Sequence, residues 1–580
     1  MKNKFYRFLK EEGIYMALLI LCIVIFSIPY YAPGLPSASE NDFHSSRIMS
    51  LAESLKLGFF LPKLRTMLMK GFGYGVGFFY PDFFSYLPAI MVNMGVDVAF
   101  AMKFHVMIFT VLGVFFCYRS LGKLTGSRNI AVFMTILYFG THCMWENLYE
   151  GTGIGAYMAQ VALPVAIVGL LRALQDEKEG YLEYAIGIVV VVLSHHLTFI
   201  SLMIAMVMIV LINVKVLVRS PKILGKLFGV SMVGLFFTAQ YWMPAIELAI
   251  HTKFKVIYDN YIDINEHILN FVKTIENIRL GYIVLFVVVA ALFVVSAIKV
   301  KKFKAETVGM LVVTLVHIYL MMSELVWRGP IGQFFAFFQS TERLVYVTMA
   351  LMTVFMAMAV RDVCEGALGG EGKKAGSDSK EAGISKVVSG ALEKSWVVAI
   401  LGVVLILATR FYCEPTFWNP NARDRYMVSP THLEDDYGIS CAEWLPVECE
   451  PSECKEVNIA RASDKTSAEG VKHDGFSSFD VWVLLDKEYY DMPFVYYYGY
   501  RAWLTDDAGN LVKELATGEA YDDNGYLRVF MPGEEGVGHV YVTYRKTLVQ
   551  KIAYVITGLT TLFIVVYPFG ARKRLEKAAK

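Results

Sequence analysis

The chain has 580 residues, 56% of them hydrophobic and only 18% charged, and a mean hydropathy of +0.47. Soluble domains are about half apolar and about a quarter charged, so this composition excludes an ordinary soluble protein. The 54 basic and 53 acidic residues nearly cancel, and no nucleic-acid partner is implied.

A helix that crosses a bilayer needs roughly 20 apolar residues, because each residue rises about 1.5 Å through a hydrocarbon core of about 30 Å. Stretches of that kind lie near 14–33, 97–117, 129–148, 153–172, 182–197, 199–214, 228–248, 281–299, 306–323, 343–360, 395–412 and 548–568. The expected architecture is a polytopic α-helical membrane protein of about twelve spans. The stretches at 182–197 and 199–214 are short and meet at Ser194-His195-His196. Alternate loops are basic, as the positive-inside rule requires. They carry Lys2, Lys4, Arg7 and Lys10, then Arg119, Lys123 and Arg128, then Lys215, Arg219, Lys222 and Lys226. Lys299, Lys301, Lys302 and Lys304 follow, then Lys373 and Lys374, and finally the tail Arg572 to Lys580. That parity places both termini in the cytoplasm of a multi-pass cell-membrane protein. The alternative for the first span is a signal peptide, with Ser37-Ala38-Ser39 as a loose cleavage site.

Three regions do not span. Residues 34–96 form a long outer loop, in which Asp42 is placed to N-cap a helix with Ile48, Leu51 and Leu55 at helical spacing. His44 and Arg47 share one face of that helix. The run Gly71-Phe72-Gly73-Tyr74-Gly75-Val76-Gly77-Phe78-Phe79-Tyr80-Pro81-Asp82 alternates glycine with aromatic residues, which allows close backbone approach and offers stacking surface to a sugar or lipid. It is no dinucleotide fingerprint, because no strand leads into it. Residues 362–394 read as a flexible cytoplasmic linker, and their glycine-lysine run lacks the Ser or Thr of a P-loop. Residues 413–547 read as a small extracytoplasmic β-rich domain. Its strand-like runs are Val481–Leu485, Phe494–Leu504, Tyr526–Met531 and His539–Tyr544, with turn chemistry at Asp506–Gly509 and Asp523-Asn524-Gly525. Cys413, Cys441, Cys449 and Cys454 all fall in this domain, where disulfides persist, and four cysteines allow three pairings. No Cys-x-x-Cys occurs among them, so zinc is the weaker reading.

Ionisable residues gather at the outer ends of the spans: Asp42, His44, Arg47, Asp82, Glu146, Glu150, His195, His196, Glu247, Glu324, Arg328, Glu342 and Arg343. Charges in or beside spans are expensive and mark sites, although each one alone is also explained by solvation at headgroup level. His195 and His196 are adjacent, so on a helix their rings diverge by about 100° and joint ligation is disfavoured.

The segments Asn41–Ile48, Gly71–Gly75 and Phe79–Asp82 resemble the start of the multi-spanning bacterial proteins labelled 6-pyruvoyl-tetrahydropterin synthase-related, and of the YfhO-like membrane proteins. Ser194–Thr198, Tyr241–Ala245, Gln339–Arg343, Glu443–Pro446 and Tyr496–Tyr500 continue that resemblance over nearly the whole chain. No pterin-synthase domain or zinc-histidine spacing accompanies it. The architecture is similar to that of the GT-C glycosyltransferases, which use an acid in the first outer loop and a polyprenyl-phosphate-linked sugar donor. This resemblance implies a transferase acting on a cell-envelope polymer or glycolipid acceptor at the membrane lipid surface. It implies Asp42, His44 and Asp82 as catalytic residues. The outer cluster and the glycine-aromatic run add Arg47, Tyr74, Tyr80, Glu146, His195, His196, Arg328 and Arg343 as candidate substrate-binding residues, with Arg343, at an outer helix end, the preferred phosphate ligand and Arg47 and Arg328 its alternatives. The chain offers a single acid at Asp42 in place of Asp-x-Asp, so no metal ligand is assigned; a divalent metal is the one cofactor left open. The competing readings are a transporter or flippase of lipid-linked saccharides and a non-catalytic envelope-assembly protein.

Overall fold

A computed structural model describes residues 2–31, 33–36, 40–151, 153–258, 267–300, 304–335, 338–369, 395–413, 427–428, 443–473 and 478–578. Ser37–Ser39, Cys441 and the linker residues 370–394 lie outside the described residues. The chain divides into two compact units: residues 1–39, 103–232 and 263–428 form the first, and residues 40–102, 233–262 and 429–580 the second.

Among the described residues, six helices are long and apolar enough to cross a membrane. They are Val98–Thr125, Ile154–Ala173, Leu280–Val300, Ala305–Met322, Thr341–Glu365 and Leu548–Tyr567. A seventh span arises if Pro221–Phe237 and Ala239–His251, bent by 69° at their break, count as one. The expected count of about twelve is therefore not reached by whole helices, and the chain shows why. The stretch at 129–148 divides into Arg128–Phe139 and His142–Tyr149. Gly140 at the break sits so close to Thr409 that a Cβ there would fall 2.6 Å from the threonine Cβ. The stretches at 182–197 and 199–214 become Lys178–Ser194 and His196–Ile212, separated by His195 in extended backbone.

In the first unit, Ile154–Ala173 is buried along its whole length, whereas Leu280–Val300 exposes most of its apolar surface. The buried helix forms a tight hairpin with Lys178–Ser194, and small residues let the backbones touch. A Cβ on Gly169 would meet Tyr184 N at 2.2 Å, and one on Gly187 would meet Ala166 Cα at 2.6 Å. Arg172 closes one end of the hairpin with Glu183 at 2.6 Å and Glu177 at 2.7 Å. Two-residue strands β1 (Leu35–Pro36) and β2 (Met427–Val428) pair antiparallel in this unit. The helix Val345–Gly369 runs through the first residues expected to be linker.

The second unit carries the expected β-rich region as two five-stranded antiparallel sheets. Its strands are β3 (Ile459–Ala462), β4 (Ser467–Glu469), β5 (Lys472–His473), β6 (Ser478–Leu484), β7 (Tyr489–Val495), β8 (Tyr500–Thr505), β9 (Leu511–Leu515), β10 (Thr517–Glu519), β11 (Tyr526–Phe530) and β12 (Val537–Tyr544). One sheet runs β10-β11-β7-β3-β4 and the other β5-β6-β12-β8-β9. Strand β6 alternates cleanly: Phe479, Val481 and Val483 are buried while Trp482 and Leu484 are exposed. Phe479 stacks on Phe494 of β7 at 4.0 Å in the shared core, where Phe→Ala costs about 3–5 kcal/mol. The run Phe494–Leu504 is two strands and not one, because Gly499 turns the chain with φ 129°. The two predicted turns hold. Asp506 Oδ1 accepts from the backbone N–H of Ala508 at 3.0 Å and of Asn510 at 2.7 Å, and Gly525 takes φ 66°.

Candidate functional site

The helix Asn41–Lys56 opens the second unit, and eleven of its residues are buried. Its N-cap is Glu40, so the expected capping role of Asp42 is corrected: Asp42 sits in the first turn, half-buried, and its carbonyl accepts from Ser45 Oγ at 3.1 Å. A carboxylate there still faces the positive end of the helix dipole.

The glycine-aromatic run places the next group of charges. Its glycines do allow close backbone approach, but to protein. A Cβ on Gly75 would lie 2.4 Å from the Tyr497 ring, and one on Gly77 would lie 2.7 Å from Lys63 O. Gly77 N–H donates to that Lys63 carbonyl at 3.0 Å, while Arg65 and Tyr74 exchange backbone bonds at 2.9 and 3.0 Å. The run thereby holds the strand-like segment Lys63–Arg65 in place. Its aromatic rings enter the β-domain core: Tyr74 and Phe78 have no exposed surface, and Phe78 stacks on Tyr497 at 6.2 Å. The stacking surface expected for a ligand is taken up by this core, and Tyr74 presents no free face.

Charges converge on Asp82, itself 5% exposed. Arg65 Nη2 donates to Oδ2 at 2.6 Å and Arg47 Nη2 to Oδ1 at 3.2 Å. Arg47 also donates to Pro81 O at 3.1 Å and lies 4.0 Å over the Tyr80 ring. His44 completes the network, with Nδ1 3.2 Å from Arg47 Nη1 and Nε2 3.2 Å from Glu40. Burial holds His44 below its ordinary pKa, so the neutral ring donates from Nε2 to Glu40 and accepts from Arg47. Both ring nitrogens are thus engaged, and Asp82 and His44 orient Arg47 and Arg65.

Two lysines stand beside this network. Lys63 Nζ lies 4.3 Å over the Tyr241 ring, and Lys546 Nζ 4.6 Å over the Tyr554 ring. Among the described residues neither forms an ion pair. Burial pushes Lys63 down to about 7; the charges of Arg65 and Lys546 push the same way, against the opposing pull of Asp82. Partial desolvation lowers Lys546 as well, although its side chain keeps an exposed surface. Two guanidiniums and two amines thus gather around the Asp82 carboxylate, with Glu40 as the other acid of the network.

In the first unit, the other expected residues fall in separate settings. Glu146 lies within electrostatic reach of Glu342 and Arg279. Arg343 donates to Gln339, while Arg328 pairs with Glu324 at 3.2 Å on an exposed surface. His195 caps the helix His196–Ile212, accepting from Thr198 N–H at 3.2 Å, and His196 is the first residue of that helix. A residue that sequence reasoning passed over is better placed than these. Arg279, just before the span Leu280–Val300, takes φ 72° and brings Nη2 to 2.9 Å from His142 Nε2. Both side chains line a cavity of about 250 Å³ whose apolar walls include Leu137, Ile278, Leu285 and Ala408. The signal of Arg279 in the sequence was a basic residue at the start of an apolar stretch. Lys63, Arg65 and Lys546 were missed for lack of any motif. Their only mark is a position flanking the glycine run or the last span.

Among the described residues no group of three or more His, Cys, Asp or Glu is placed to hold a metal.

No curated protein matches the chain. Among solved structures, the Archaeoglobus fulgidus oligosaccharyltransferase in its apo form is similar at 13% identity and a TM-score of 0.37, over 72% of this chain and 60% of that one. The same archaeal enzyme tethered by a disulfide to an acceptor peptide containing the NVT sequon is similar at 14% identity and a TM-score of 0.35, over 74% and 60%. The chain thus spans less than two thirds of that enzyme's length. A family model described as Family of unknown function (DUF6541) matches residues 16–437, well over half of the chain, and the protein belongs to that family.

Proposed function

We propose that this protein is a membrane glycosyltransferase that takes its sugar from a polyprenyl-phosphate donor and passes it to a cell-envelope polymer or glycolipid on the outer face. The observation that carries the reading is the cluster of cationic groups around Asp82, where among the described residues Lys63 and Lys546 form no ion pair and stand beside two guanidiniums held by that carboxylate. A phosphate brings negative charge to this cluster, and in doing so raises Lys63 back toward its ordinary ammonium form.

In the proposed reaction the acceptor hydroxyl attacks the anomeric carbon, and the bond from that carbon to the phosphate oxygen breaks. Asp42 takes the hydroxyl proton, and polyprenyl phosphate departs with the electron pair. Lys63 and Lys546 stabilise the charge that grows on the phosphate. Asp82 and His44 hold the guanidiniums in position, and Tyr80 holds Arg47 from its ring face. The test is to incubate purified protein with labelled polyprenyl-phosphate sugars and cell-envelope extract. Label moving to the acceptor supports the reading, and lipid translocation without transfer would replace it with a flippase.

A further inference from the structure

Residues 252–256 run antiparallel to 443–447. Val447 N–H donates to Lys253 O at 2.9 Å, and Lys255 N–H to Leu445 O at 2.9 Å. This pairing sets Thr252 near the turn that holds Glu448. Strand β10 brings in Glu519, and beyond it Tyr521 donates to the His251 carbonyl at 3.1 Å. Glu519 is 6% exposed and Thr252 3%. The Thr252 and Tyr521 hydroxyls lie against the Glu519 carboxylate. Yet Oε1 and Oε2 of Glu519, Oε2 of Glu448 and Oγ1 of Thr252 are all buried without a geometrically formed hydrogen bond. Two carboxylates and a hydroxyl therefore meet in one buried space with three carboxylate oxygens and the hydroxyl lacking a well-formed partner, an arrangement that is costly unless a positive charge enters it.

We propose that Glu448, Glu519 and Thr252 form a binding site for a hard divalent cation, with calcium as the fitting ion. The donors are all oxygens: two carboxylates, a threonine hydroxyl, and Tyr521, whose proton is committed to His251 and whose oxygen is left as an acceptor. The softer groups nearby are occupied. His251 stacks on Tyr498 at 3.8 Å and shares Nδ1 with Glu247 O, while the free thiols of Cys449 and Cys454 hydrogen-bond each other. Two carboxylates balance a divalent charge, and the exposed Lys253 is too solvated to do so alone. Without an ion, burial and the Glu448 charge push Glu519 up to about 8. The site joins three distant segments of the chain, so the ion binds the folded form and stabilises it. Nothing in this site depends on the proposed transferase reaction.

The experiment is thermal unfolding of the full-length protein in detergent, with EDTA or with millimolar calcium or magnesium. Calcium should raise the midpoint by several degrees and magnesium by less. Glu519→Gln should fold in EDTA and lose the calcium shift. Thr252→Val, which keeps both carboxylates, should need at least tenfold more calcium for the same shift and covers the case of a Gln variant that fails to fold. A wild type unmoved by calcium, or variants that respond as the wild type does, would overturn the site. Stabilisation by acid in place of calcium would overturn it too, since it would assign the pair a shared proton.

Discussion

Arg65 and Arg47 grip opposite oxygens of the Asp82 carboxylate, at 2.6 and 3.2 Å, with all three side chains at most 7% exposed. Removing one partner of such a buried pair leaves uncompensated charge, which costs about 3–5 kcal/mol. Asp82→Asn should therefore lower the thermal midpoint sharply in detergent. The exposed pair Arg328–Glu324 gives the contrast, where Arg328→Ala should change stability by about 0.5 kcal/mol or less. Equal effects of the two substitutions would remove Asp82 from the centre of the network.

Lys63 makes a prediction about pH. Its folded pKa is held near 7 against a usual 10.5, so between those values the unfolded chain keeps a proton that the folded chain has lost. Stability rises with pH wherever the unfolded state binds more protons. This group should therefore oppose folding most below pH 7 and progressively less as pH climbs toward 10.5. Lys63→Met should flatten that part of the stability profile. Parallel profiles for wild type and variant would mean that Lys63 is ordinarily hydrated.

Lys63 and Arg343 are separated by donor binding. A charge-assisted hydrogen bond contributes about 1.5–3 kcal/mol, so losing one should weaken polyprenyl-phosphate binding about 10- to 100-fold. Lys63→Met should show that loss. Arg343, already bonded to Gln339, should show a smaller one on Arg343→Lys. A larger effect at Arg343 would restore it as the phosphate ligand.

What the sequence revealed, and what it hid, follows from the range of the interactions. Apolar length and strand alternation are local, so the membrane class, β6 and the turn at Asp506 were legible. The span count was less so, because breaks at Gly140 and Thr238 depend on packing that length alone does not report. Glycines 75 and 77 were correctly read as points of close approach, but their partners, Tyr497 and the Lys63 backbone, are set by tertiary structure. The aromatic residues between them are the same case: a ring that stacks on a ligand and a ring that fills a core look alike in sequence. Lys63 and Arg65 carry no motif, and their meaning appears only when the fold brings them to Asp82 and Lys546.

The most direct measurement is sugar transfer by wild type and Asp42→Asn, each purified and shown to bind labelled polyprenyl-phosphate sugar. Asp42 lies within the first turn of its helix and caps nothing, so Asn keeps the shape and loses about 0.3–1 kcal/mol of dipole interaction at most. The account predicts intact folding and donor binding with turnover lowered about 10²–10⁴-fold, the range for losing a positioned acid or base. A well-folded Asp42→Asn protein that binds donor and transfers sugar at the wild-type rate would contradict it.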